Sequence, residues 1–260
     1  MVSIPYLIVF IAGLLIGSFL NVLIYRLPRG EQFVKGRSFC PECGQTIKLY
    51  HNIPLLSYLF LRGKCAHCRK PISFRYPLVE LLNGSGYLYF FWKQGWSIDF
   101  GIFVFLTSVL IVIFFIDLDN QIIPDAITLP GIVFGLGVSL APGGVSPLQS
   151  LIGTLVGGGS LYLVAMLGDW LFKKESMGGG DIKMAAMLGA FLGWQKVLLI
   201  FLASAVIGLV VSIAIMLFSA KLRRTRVVPF GPFIALAALV AIVWGDSLIA
   251  YYVHNFLHLN

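Results

Sequence analysis

The sequence predicts an all-α fold, a polytopic membrane bundle of about eight transmembrane helices with one polar loop carrying all of its cysteines. Three observations predict it. Of 260 residues, 58% are hydrophobic and only 12% charged, against about one-quarter charged in a soluble domain. Uncharged runs recur at the roughly 17–25 residues that a spanning helix needs. The only sizeable polar segment is a single stretch, from about Leu27 to Arg75.

The elements follow in order. The first run, Ile4 to Tyr25, has no basic residue before it and outlasts the roughly 7–15-residue core of a signal peptide, so it reads as a retained helix. Four more runs are long enough to span: Phe100 to Ile116, Leu148 to Gly168, Val197 to Ala220 and Val227 to Gly245. Two shorter ones, Pro77 to Trp92 and Ala126 to Ala141, carry Glu80, Pro130 and several glycines, and are read as further spanning helices. Met184 to Trp194 is too short to cross alone. The resulting division is a first transmembrane helix over 1–26, a cytosolic loop over 27–76 and a transmembrane bundle over 77–260. No repeat suggests the inverted halves of many transporters. Gly157, Gly158 and Gly159, inside a spanning run, are most simply a close-packing surface between helices.

Charge sets the expected orientation. Arg26, Arg29, Lys35, Arg37, Lys48, Arg62, Lys64, Arg69, Lys70 and Arg75 crowd into one loop, which the positive-inside rule places in the cytoplasm. Threading onward puts Lys173 and Lys174, then Lys221, Arg223, Arg224 and Arg226, on the same side. Lys93 and Lys196 are left in outer connections, and both termini fall outside. The formal charge of +8 follows this sidedness and lacks the interleaved aromatics of a base-stacking surface, which argues against a nucleic-acid partner. Anionic membrane lipids of the inner leaflet are the expected electrostatic partners.

The four cysteines stand as Cys40-Pro-Glu-Cys43 and Cys65-Ala-His-Cys68, a C-x2-C-x21-C-x2-C pattern. Two such knuckles supply four thiolates to a tetrahedral zinc ion; free thiols or a redox pair are the alternatives, and a reducing cytosol disfavours a disulfide. Four cysteine ligands leave no open position for water, so this zinc would organise the loop and hydrolyse nothing. His67 reads as a bystander. His51, His254 and His258 share no ligand spacing.

Catalytic candidates are therefore sought among carboxylates in or beside spanning helices, where an ionisable group is costly. One stretch reads Ile116-Asp117-Leu118-Asp119-Asn120-Gln121-Ile122-Ile123-Pro124-Asp125, another Met177-Gly178-Gly179-Gly180-Asp181. Two carboxylates brought together at a partly dry site split their roles, one ionised and one protonated. The first can activate a water against a peptide carbonyl, and the second can stabilise the oxyanion and protonate the leaving amine. Glycines before Asp181 would permit a sharp turn and leave room for an extended substrate strand. The bland alternative makes Asp117, Asp119 and Asp125 interfacial caps and Asp181 a helix cap. Asp117 and Asp119 lie about 200° apart around a continuous helix, so both cannot face one partner. Glu80 either snorkels, pairs with Arg75 or Lys183, or serves the site.

These residues together resemble the type IV prepilin peptidase family, also called type II secretion leader peptidases. The likeness runs over nearly the whole chain: Gly17-Ser18-Phe19-Leu20-Asn21-Val22 with Arg26 and Pro28, the cysteine knuckles, Arg75-Tyr76-Pro77-Leu78-Val79-Glu80-Leu81-Leu82, the Asp117 to Asp125 stretch, and the G-x-G-D motif of Gly178, Gly180 and Asp181. The resemblance implies a membrane aspartic peptidase with Asp117 and Asp181 catalytic, Asp119, Asp125, Gly178, Gly180 and Glu80 supporting. Its substrates would be prepilins or pseudopilins, cut where a basic leader meets a membrane helix. It further implies S-adenosylmethionine-dependent methylation of the new amino terminus, with Gly63 in a segment the family associates with that step. The loop shows no glycine-rich cofactor fingerprint. The G-x-G-D motif is also similar to presenilin-type proteases, and the cysteine loop favours the prepilin reading. An ion-coupled transporter or a non-catalytic assembly scaffold remains the alternative; clustering of the acids at one edge speaks against a transport path, which places such groups near the midplane.

Overall fold

The computed structural model describes residues 3–34, 36–174, 177–218 and 229–256. Among them all extended regular structure is helical: α1 (Ser3–Arg26), α2 (Leu56–Phe60), α3 (Arg75–Gln94), α4 (Ile98–Asn120), α5 (Asp125–Val138), α6 (Pro147–Phe172), α7 (Gly179–Phe218) and α8 (Gly231–Phe256). Lys35, Lys221, Arg223, Arg224, Arg226 and His258, used above to judge sidedness or ligand spacing, lie outside the described residues. The chain forms two compact units, Met1–Val112 and Ile113–Asn260, divided within α4.

In the first unit, α1 packs closely on α3 because small residues meet there. A Cβ on Gly13 would lie 2.8 Å from the Gly84 Cα, and one on Gly17 would lie 2.7 Å from the Glu80 Cα. The polar side chains on this seam are satisfied within it. Asn83, fully buried, donates to the Gly13 carbonyl at 2.8 Å and accepts from the Ser108 hydroxyl at 2.9 Å, and Tyr87 meets Ser108 at 3.1 Å. Such side-chain bonds in an apolar setting contribute about 0.6–2 kcal/mol each, and here they tie α1, α3 and the first half of α4 together.

The second unit is built around α7, which packs against α5, α6 and α8. Gly153 of α6 and Gly189 of α7 sit backbone to backbone, with no room for a Cβ on either, and the Ser150 hydroxyl donates to the Ala190 carbonyl at 2.6 Å. Gly157 and Gly158 face α7 at Ala185 and Ala186, while Gly159 meets nothing. α7 is two rods joined at Gly193, whose φ of 78° breaks the helix. The first rod contains the run that was too short to cross alone. Met184, Met187 and Leu188 there are buried inside the unit, so protein surrounds them and lipid contact is not required.

Among the described residues, five helices are long and apolar enough to cross a membrane: α1, α4, α6, α7 and α8. The chain is a multi-pass membrane protein, but the expected count of eight is not reached on that measure. α5 has 14 residues, about 21 Å at 1.5 Å per residue, short of a bilayer core of about 30 Å. α3 carries Arg75, Glu80 and Lys93. The first rod of α7 is counted with the second. The last spanning run is also displaced: its helix starts at Gly231, just before Pro232, and continues to Phe256, because proline fits a helix's first turn and not its interior.

Candidate active site and metal centre

The cysteine loop folds as two matching turns. Thr46 bridges back to Phe39 and Pro71 to Lys64. Cys40 N–H donates to the Gln45 carbonyl at 2.9 Å and Cys65 N–H to the Lys70 carbonyl at 2.9 Å, while Gly44 and Arg69 donate back to the Cys40 and Cys65 carbonyls at 2.9 and 3.1 Å. Gly44 and Arg69 hold equivalent places with φ of 69° and 60°; glycine adopts that conformation freely, whereas arginine is strained in it. A Lys70–Glu42 ion pair joins the turns.

The outcome is a set of four sulfurs, from Cys40, Cys43, Cys65 and Cys68, all within 4.8 Å of one another. Cys40 and Cys68 sulfurs stand 3.9 Å apart, too far for a disulfide and suited to shared ligation. Main-chain N–H groups of Cys68 and His67 directed at the Cys65 sulfur hold its pKa down to about 7, whereas Cys43, against the pull of the Gln45 N–H, is pushed up to about 11 by burial and the neighbouring thiols; a metal binding here would displace the protons of the set. His67 thus contributes its backbone. These residues fit a tetrahedral zinc ion.

Gly63 lies in the turn leading to the second knuckle, with φ of 66°. Its N–H donates to the Tyr58 carbonyl at 2.8 Å and its carbonyl accepts from Ile72 at 2.7 Å. A Cβ there would meet the Tyr58 hydroxyl at 3.0 Å. Glu80 is 8% exposed, so its carboxylate does not snorkel. It accepts from the Leu55 N–H at 2.8 Å and from the Ser18 hydroxyl, joining α3 to α1 and to a loop residue at φ of 59°. Lys183, one of the partners considered for Glu80, pairs with Asp125 at 2.7 Å.

The carboxylates of the second unit divide sharply. α4 stays helical through Asn120 and ends where Gln121, at φ of 57°, donates to the Asp117 carbonyl at 2.9 Å. On that unbroken helix Asp117 is 5% exposed, while Asp119 faces outward. Asp125, in the first turn of α5, is exposed and held by Lys183.

Asp181 sits in the first turn of α7, its N–H returning to the Gly178 carbonyl at 3.1 Å. It is close enough to Asp117 for the two carboxyl groups to act on each other electrostatically. Its Oδ1 is buried with no hydrogen-bond partner among the described residues. Around the pair, Gly178 has only the Asp181 Oδ2 near it, at 3.6 Å from an added Cβ, and Gly180 is pressed on Ile123, whose Cβ would stand 2.8 Å away.

One contributor escaped the sequence reading. Gly231, at the start of α8, lies against the Asp117 carboxylate: a Cβ on it would fall 2.5 Å from the Asp117 Oδ2 and 3.0 Å from the Ile123 Cδ1. Its available signal was Pro229-Phe230-Gly231-Pro232, dense turn chemistry opening an apolar run.

Residues 11–94 match the Bacterial Peptidase A24 N-terminal domain, and residues 104–213 match the Type IV leader peptidase family. The chain belongs to the type IV leader peptidase family. Similarity to members of this peptidase family extends across the whole chain. It is 39% identical to the prepilin leader peptidase/N-methyltransferase of Aeromonas hydrophila, over 96% of this chain and 94% of that one. Identity is 40% to the protein of that name from Stutzerimonas stutzeri, over 93% and 91%, and 39% to the one from Neisseria gonorrhoeae, over 92% and 90%. No solved structure matches the chain. As a leader peptidase this membrane protein is an enzyme, which sets aside the transporter and scaffold readings.

Proposed function

We propose that this leader peptidase removes the basic leader of type IV prepilins or pseudopilins with the Asp117–Asp181 pair at the cytoplasmic face of the inner membrane, and methylates the exposed amino terminus. The observation that carries the peptidase reading is the approach of two carboxyl groups from α4 and α7, Asp117 buried and Asp181 half-buried, beside Gly178 and Gly180. One of them, ionised, takes the proton of a water as it attacks the scissile carbonyl. The other, protonated, stabilises the oxyanion and then donates to the leaving amine. Space beside Gly178 admits the extended junction of the substrate, whose hydrophobic helix stays in the bilayer.

Cys40, Cys43, Cys65 and Cys68 would hold zinc, which when bound supplies a structural crosslink of the loop and no reactive position. Methylation is read onto the same loop, with S-adenosylmethionine as donor. Gly63 supports that placement: its turn conformation and the Tyr58 hydroxyl beside it leave no space for a side chain. The basic loop over 27–76 is assigned to the cytoplasm and both termini to the outside. Incubating the purified protein with a prepilin and S-adenosylmethionine, then weighing the product, tests both activities. Leader loss plus one methyl group is the expected mass. An unchanged precursor overturns the peptidase reading, and a cleaved but unmethylated product overturns the second activity.

A further inference from the structure

We propose that Gly231 is a positioning residue of the aspartate pair: its main-chain N–H holds Asp117 as the ionised partner, and its missing side chain leaves the space in which that carboxylate works. The inference rests on the reading of Asp117 and Asp181 as the catalytic pair and assigns their roles.

Three observations converge. First, Gly231 opens α8, where main-chain N–H groups have no partner inside their own helix and favour negative charge. The Asp117 Oδ2 lies 2.5 Å from where a Gly231 Cβ would stand, within reach of the Gly231 main-chain N–H. Hydrogen bonds from such a donor stabilise the ionised form of a carboxyl group. Second, the two carboxyl groups are unequal. Asp117 has this donor within reach, whereas the buried Asp181 Oδ1 receives none from the described residues. When two such groups share one proton, it resides on the member without a donor, so Asp117 is the base and Asp181 the acid. Third, the space is committed. An alanine Cβ at 231 would stand 2.5 Å from the Asp117 Oδ2 and 3.0 Å from the Ile123 Cδ1, and the first approach is closer than real atoms tolerate. The carboxylate would have to turn away from its donor.

Gly231→Ala tests this in the full-length, zinc-containing protein. Its expected effect is a fall in the kcat of leader cleavage of roughly 10- to 100-fold, the worth of one charge-assisted hydrogen bond, with KM little changed. Gly208→Ala is the packing control. Its Cβ would press only on the Phe233 ring, at 3.1 Å, and kcat should stay near the parent value. Adding Ile123→Ala to Gly231→Ala relieves the second clash and leaves the first, so kcat should stay low. Residue-resolved hydrogen exchange adds a measurement that needs no folded Gly231 variant: the Gly231 amide should exchange faster in Asp117→Ala than in Asp119→Ala. Parent-like kcat in Gly231→Ala, its full rescue by Ile123→Ala, or equal exchange in the two aspartate variants would overturn the proposal. Asp117→Asn, run alongside, separates the two levels. If it cleaves at the parent rate, the catalytic pair itself is wrong; if it is inactive while Gly231→Ala is normal, only the role of Gly231 is.

Discussion

Asp117 and Asp119 are two residues apart on one helix and have opposite surroundings, one 5% exposed and beside Asp181, the other outward-facing. Their substitutions should therefore differ. Asp117→Asn or Asp181→Asn is expected to lower leader cleavage by roughly 10²–10⁴-fold or more, since an amide neither accepts the water's proton nor shares one. Asp119→Asn should retain substantial activity. All three variants should insert normally and match the metal content of the parent protein. A well-folded Asp117→Asn that cleaves normally, alongside an inactive Asp119→Asn, would show that the wrong partner has been assigned to Asp181. Asp125 calls for a milder expectation. Its pair with Lys183 is partly exposed and worth about 0–1 kcal/mol, so Asp125→Asn should change cleavage by less than about fivefold. A larger loss in kcat would place Asp125 in the reaction itself.

Among the elements, the cysteine loop is held by its turns, with little regular structure besides α2, and its four sulfurs could hold a metal ion. One zinc per chain is expected by metal analysis, and any single Cys→Ser variant at the four positions should lower it. Protein purified without chelators yet lacking zinc, with all four thiols freely alkylated, would exclude the site. Damage to this loop, or Gly63→Ala, should reduce N-methylation more than cleavage, because Asp117 and Asp181 belong to other elements. Equal loss of both products in a stably inserted variant would make the loop necessary for the peptidase. The mismatch between the two knuckles gives a further test. Arg69 occupies in strain the conformation that Gly44 adopts freely, so Arg69→Gly should leave thermal stability unchanged or raise it by up to about 1 kcal/mol. Marked destabilisation would mean that the arginine side chain makes a contact outweighing its backbone.

For the whole molecule the charge distribution makes the testable claim. Reporter fusions active only outside the cytoplasm should be active when joined at either end of the chain and silent when inserted in the 36–75 loop. The reverse pattern would place the basic loop outside and remove the cytosolic setting of the thiolates and the leader-cutting site together. Five helices qualify as spans by length and apolarity, and odd counts put the termini on opposite sides; the fusions therefore also decide whether α3, α5 and the first rod of α7 cross.

The membrane-helical class, the one sizeable polar loop, the four cysteines that could hold a metal and the residues from which an aspartate pair could be drawn are all legible in the order of the amino acids. Each depends on local properties: run length, spacing of like residues, or the cost of a charge in an apolar helix. The remaining features depend on which segments meet in space. The burial of the first rod of α7, the pairing of Lys183 with Asp125, the engagement of Glu80 by Leu55 and Ser18, and the approach of Gly231 to Asp117 join residues far apart in the chain. Glycine shows the reason most plainly. At 231 and at 159 it is the same residue in the same kind of apolar run, yet at 159 nothing approaches and at 231 a carboxylate fills the place of the missing side chain, because the space around a residue is set by the neighbours that packing brings to it.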